Sequence, residues 1–98
     1  MESRLKDDNT DLLFNSILQL KSVDECYKFF EDLCTVPEIK AIAQRLVVAK
    51  MLSQKSVYSD IVAKTGASTA TISRVNRSLI YGSEGYKLVF SRLDKSNE

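Results

Sequence analysis

A chain of 98 residues is long enough for one small domain, and its 44% hydrophobic and 28% charged residues are the balance of a folded protein, not of a disordered segment. No apolar run approaches a membrane span, and the polar opening MESRLKDDNT does not read as a signal peptide, so a cytoplasmic protein is expected. The net charge of +1 is unevenly placed: residues 1–39 carry −5, residues 40–95 carry +7, and Glu98 supplies the last negative charge, which leaves a basic half suited to phosphate contact.

No strand-like alternation stands out, and the three Gly and one Pro are too few for a loop-rich fold, so the class expected is all-α. Thr10 is the expected cap of a first helix that runs through Leu20, with Leu13, Ile17 and Leu20 on one face. Ser22 and Glu25 form a capping box that opens a second helix. Its apolar stripe is Val23, Cys26, Tyr27, Phe30, Leu33 and Cys34, so both cysteines are expected to be buried free thiols. With no histidine, a zinc site would lack ligands, and no Gly-rich phosphate loop or catalytic constellation is present; neither a metal nor an enzyme is expected.

Thr35 and Glu38 make a second capping box, with Pro37 tolerated in the first turn, for a third helix that reaches about Gln54. Ile39, Ile42, Ala43 and Leu46 form one stripe, and Val47, Val48, Met51 and Leu52 spread apolar surface around much of the rest. A helix apolar on most sides needs burial on most sides. One domain of this size can hardly surround it, which points to a second copy of the chain and a homodimer.

Residues 56–79, SVYSDIVAKTGASTATISRVNRSL, carry the clearest functional pattern. Ser56 is the expected cap of a short helix with Val57, Ile61 and Thr65 on one face and Val62 beside Ile61; Asp60 near its start and Lys64 near its end suit the helix dipole. Gly66 stops that helix within the turn Thr65-Gly66-Ala67-Ser68, and Ser68 caps the next one. Ile72, Val75 and Leu79 then form a buried stripe, while Thr69, Ala70, Ser73, Arg74 and Arg77 face outward. This is the layout of a helix-turn-helix, in which small side chains approach base edges and cations hold phosphates. Ser68, Thr69, Ala70 and Ser73 are the candidate base-reading residues, and Lys64, Arg74 and Arg77 the candidate phosphate anchors. Gly82 ends the helix, Ser83 is the expected cap of a last one with Tyr86, Val89, Phe90 and Leu93 on its packing face, and the polar tail after Leu93 is expected to fray. The whole of 1–98 reads as one domain, with a dimerisation scaffold at about 10–54 and 83–93.

The stretch Leu33 to Leu79, and TGASTATISRVNRSL most of all, resembles the Trp repressor family, in particular its YerC/YecD branch. The resemblance implies an intertwined all-helical homodimer that binds duplex DNA, and a repressor. It also implies a corepressor site: Thr35 and Arg45 match its core side, and Thr71, Arg74 and Ser78 match its recognition-helix side. The repressor has glycine directly after the matching arginine, where the indole of L-tryptophan packs. Val75 stands there in this chain, so tryptophan is not the expected effector, and any small-molecule corepressor is of unknown identity. Ser59 and Val62 replace basic DNA-contacting residues, and Ser73 a threonine, so the operator cannot be carried over. From the residues alone, two other readings stay open: a protein-interaction module and a nonspecific architectural DNA binder.

Overall fold

The computed structural model describes residues 3–96. Among these the regular elements are helices, with no strand: α1 (Asp8–Ile17), α2 (Val23–Leu33), α3 (Val36–Ser53), α4 (Tyr58–Thr65), α5 (Thr69–Tyr81) and α6 (Gly85–Ser96). The chain divides into two compact units between Val36 and Pro37.

In the first unit, Asp7 rather than Thr10 caps α1: its carboxylate accepts the Thr10 backbone N–H at 2.7 Å. A carboxylate there both satisfies an orphan donor and meets the positive end of the helix dipole. The backbone and side-chain hydrogen bonds from Thr10 hold its pKa below the usual aspartate value. The helix ends three residues short of Leu20, because the Gln19 and Leu20 N–H groups turn back to the Ser16 and Ile17 carbonyls. Ser22 caps α2 as expected, accepting the Glu25 N–H at 3.1 Å; the Glu25 carboxylate reaches past the cap to the Lys21 N–H at 2.8 Å. Neither helix holds a fully buried residue. Phe29, Phe30, Cys26 and Cys34 are half-buried, and both thiols are free. Val23 stays 72% exposed and Tyr27 64%.

The second unit holds the core. Val48 and Ala49 of α3, Ile61 of α4, Ala67 of the following turn and Ile72 and Val75 of α5 form one buried cluster. Met51, Leu52, Leu79, Tyr86 and Phe90 pack around it. Burying a Val or Ile side chain contributes about 1.5–3 kcal/mol, so these few side chains carry much of the unit's cohesion.

The end of α3 explains a difference from the sequence reading. Lys55 takes a left-handed φ of 67°. Its N–H donates to the Leu52 carbonyl, and the Ser56 N–H donates to Met51 at 3.0 Å. This is a Schellman closure. Ser56 therefore terminates α3 and does not cap α4, whose N-cap is Val57, without a side-chain cap bond. Val57 is exposed and Ile61 alone of α4 is buried, so the apolar face expected there narrows to Ile61, with Thr65 half-buried behind it.

The α6 helix begins at Gly85, two residues beyond the expected cap Ser83, with Glu84 at a left-handed φ of 66° between them. Tyr86 and Phe90 face the core with their rings stacked at 6.0 Å, whereas Val89 and Leu93 stay exposed. The helix continues through Ser96, past the point where fraying is expected; Lys95 in its last turn suits the dipole, and Ser96 bonds back to the Arg92 carbonyl. Residues 97–98 of that tail lie outside the described residues.

The two left-handed helix ends behave oppositely on substitution. Gly66→Ala meets no atom within 4 Å, so it is expected to lose about 1–2 kcal/mol from backbone strain alone. Lys55→Gly is expected to gain about 0.5–1 kcal/mol, the relieved strain less the extra freedom of the unfolded chain. Urea unfolding at one fixed protein concentration checks both.

Candidate nucleic-acid interface

The α4–turn–α5 unit is held by short-range hydrogen bonds that the sequence makes available. Gly66 adopts φ 70°, and its N–H closes on the Val62 carbonyl. The Thr65 hydroxyl donates to Ile61 O at 2.7 Å and accepts the Ala67 N–H at 3.1 Å. From α3, the Gln44 side-chain amide donates to the Thr65 carbonyl at 3.1 Å, which satisfies an otherwise orphaned helix-end acceptor. Ala67 is buried in the core cluster, so the turn is anchored by packing as well as by its bonds.

Ser68 opens α5: its Oγ accepts the Thr71 N–H at 3.1 Å and donates to Thr71 Oγ1 at 3.0 Å. Ile72 and Val75 point inward, with Leu79 half-buried after them, as the stripe requires. The remaining expected positions emerge outward. Ser68, Thr69, Ala70, Ser73, Arg74 and Arg77 are all exposed, and so is Lys64 at the end of α4. Ser59 and Val62 are exposed on α4 as well. Lys64, Arg74 and Arg77 enter no ion pair among the described residues. Three free cations beside a face of small side chains can approach a polyanion closely without first breaking internal bonds. Ser68 differs from Thr69, Ala70 and Ser73 in one respect: its hydroxyl is already committed to the cap.

A cleft of about 380 Å³ adjoins this helix. Ile42, Arg45 and Leu46 line it from α3, Arg74, Val75 and Ser78 from α5, and Tyr86 from α6. Of the five candidate effector residues, Arg45, Arg74 and Ser78 meet there. Thr71 is not among the lining residues; its hydroxyl and N–H belong to the α5 cap. Thr35 lies in the first unit, directly before α3. Tyr86 is a lining residue that the sequence assigns only to packing. The spacing of Ile42, Arg45 and Leu46, three and four residues apart, would have marked one shared face of α3. Among the described residues no group of His, Cys, Asp or Glu could hold a metal ion, and no helix is long and apolar enough to cross a membrane.

A family model described as Trp repressor protein matches residues 8–94. The chain is 52% identical over 93 residues to the uncharacterized protein YerC of Bacillus subtilis (strain 168), covering 95% of this chain and 89% of that protein. It is also similar to a crystal structure of a TrpR-like protein from Eubacterium eligens ATCC 27750, with 57% identity, a TM-score of 0.91, and coverage of 95% of this chain and 96% of that one. A solved structure from Staphylococcus aureus shares 49% identity at a TM-score of 0.89, covering 93% of this chain and 91% of that one.

Ser68→Ala removes the acceptor for the Thr71 N–H, and is expected to cost about 1 kcal/mol and to fray the turn that carries Thr69 and Ala70. Amide hydrogen exchange should show faster exchange at Thr71, with the protection of Ile72 and Val75 largely kept.

Proposed function

The chain belongs to the Trp repressor family, a family of DNA-binding transcription regulators, and from that premise we propose that it is a sequence-specific repressor acting as a homodimer on duplex DNA. The α5 helix enters the major groove. Thr69, Ala70 and Ser73 approach the base edges, with Ser68 holding the first turn in shape. Arg74, Arg77 and Lys64 anchor phosphates. The observation that carries this reading is the outer face of α5: small polar side chains beside cations free of internal partners, presented by a turn that the core anchors.

The homodimer rests on apolar surface left uncovered within one chain. Val47 of α3 is 45% exposed, and Val89 and Leu93 of α6 are exposed too. Exposed aliphatics repeated along helices are what a second copy would cover. A two-fold dimer then reads two half-sites about one helical turn, roughly 34 Å, apart.

The cleft between α3, α5 and α6 is the proposed effector site, with Arg45, Arg74 and Ser78 as its polar groups; Thr35 and Thr71 are candidate members by family resemblance alone. L-tryptophan does not fit this reading. Val75 lines the cleft where the family's repressor has glycine, and its β-branched side chain is the proposed obstacle to a flat ring. Calorimetric titration with L-tryptophan is expected to show no micromolar binding.

Selection of genomic fragments by the purified protein at near-physiological salt, followed by sequencing, tests the function. A palindrome with half-sites about one turn apart is expected. Fragments bound without a common sequence would mean an architectural binder, and no enrichment, even with a metabolite extract added, a protein-interaction module. For Arg74→Ala with Arg77→Ala, binding to every sequence should weaken. If both arginines of both protomers touch phosphate, the salt slope should fall by about 3–4; equal affinities across a salt series would remove these two residues from the DNA contact.

A further inference from the structure

We propose that Tyr81, the last residue of α5, is a further DNA contact: its phenol donates a hydrogen bond to a backbone phosphate next to the one held by Arg77. The proposal rests on the DNA-contact reading above and extends it to a residue that neither charge nor the turn motif singles out.

The position comes first. At about 100° per residue, Arg74, Arg77 and Tyr81 all lie within roughly 40° of Ala70 around the α5 axis. They form one stripe, nearly opposite the inward stripe of Ile72, Val75 and Leu79. At about 1.5 Å per residue, Tyr81 stands about 6 Å beyond Arg77 along the helix. The α5 helix carries no Asp or Glu, so the stripe shared by Tyr81 and the two arginines suits a polyanion.

The helix end keeps the side chain clear. The Gly82 N–H closes on the Ser78 carbonyl, and a Cβ at residue 82 would stand 2.3 Å from that oxygen. Glycine is therefore what lets the chain leave α5 directly after Tyr81. Tyr81 is left 80% exposed, more than any other large hydrophobic side chain among the described residues. Its phenol makes no hydrogen bond, and its ring meets no other ring, among the described residues. Tyr86, five residues on, is the opposite case, stacked on Phe90 and packed against the core. Exposed Ile80 lies about 100° around the axis from Tyr81, so the two do not make one apolar patch for a protein partner to cover.

The chemistry of the side chain fits the DNA backbone. A tyrosine offers an apolar ring with a polar tip, and the backbone offers sugars beside phosphate oxygens. Tyrosine is among the side chains that hold a protein in register through such contacts. A phenol donates without bringing a charge of its own, so it adds affinity without releasing a counterion, unlike Arg77.

Fluorescence anisotropy across a salt series tests this, on a labelled duplex from the genomic selection and on a labelled duplex of random sequence. Tyr81→Phe removes one hydroxyl from an exposed position, so the variant should fold, and urea unfolding at one fixed protein concentration checks it. Binding to both duplexes should weaken about tenfold or more, the usual contribution of a hydrogen bond to a charged group. The salt slope should stay as it was, whereas Arg77→Ala should lower it. Ethylation interference on the selected duplex should lose one phosphate per half-site in Tyr81→Phe, beside the one lost in Arg77→Ala. Unchanged affinity in Tyr81→Phe overturns the proposal and leaves the DNA-binding reading standing. So does a loss confined to the selected duplex, which would make Tyr81 a base reader, and so does a weaker dimer in analytical ultracentrifugation, which would put Tyr81 between copies of the chain. If the unsubstituted protein binds neither duplex, the DNA-binding reading fails first and the Tyr81 contact falls with it.

Discussion

The protein's proposed working surface depends on one packing constraint: Ile72 and Val75 of α5 must stay in the same buried cluster as Ile61 of α4 and Val48 of α3. Dispersion and the removal of apolar surface from water act without direction, but close packing turns them into an orientation. With one stripe of α5 held inward, the opposite stripe is committed outward. Thr69, Ala70, Ser73 and Arg77 are thus aimed by residues on the opposite stripe of the same helix. Ala67 adds to this, because a turn residue inside the core ties the angle between α4 and α5 to the same cluster.

The cluster is small. Among the described residues, six buried ones hold the second unit, and neither helix of the first unit contributes any. Marginal cores of this kind gain from association, because a second copy would cover aliphatics that one chain leaves in water. The proposed dimer and the limited core are therefore two sides of one economy of length. The hydrogen bonds at the helix ends serve a different purpose from the core. Gly66, Lys55 and Ser68 set where each helix stops or starts, and so fix which residues fall on the turn and which on the reading face.

Arg74 joins the two proposed roles of α5. Its side chain starts from a point between the outward face and the cleft, with Val75 beside it locked into the core.

Much of this was legible in the residues themselves, wherever the governing interaction is short in sequence. Gly66 as a left-handed stop, Ser68 and Ser22 as caps, and the Ile72–Val75–Leu79 stripe each depend on neighbours within about two turns, and periodicity and capping chemistry describe such neighbours well. The starts of α1 and α4 depart from the sequence expectation. Thr10 carries a capping hydroxyl, but Asp7, three residues earlier, offers a carboxylate that accepts the Thr10 N–H. Ser56 carries a capping hydroxyl too, but the closure of α3 places it one residue before the N-cap position of α4, which Val57 occupies. The sequence by itself determined the helices, the inward stripe of α5 and the segregation of charge, since local geometry and composition suffice for these. Only the tertiary structure decided that Arg45, Arg74, Ser78 and Tyr86 share a cleft, because three helices distant in sequence must pack before any of those side chains can face another.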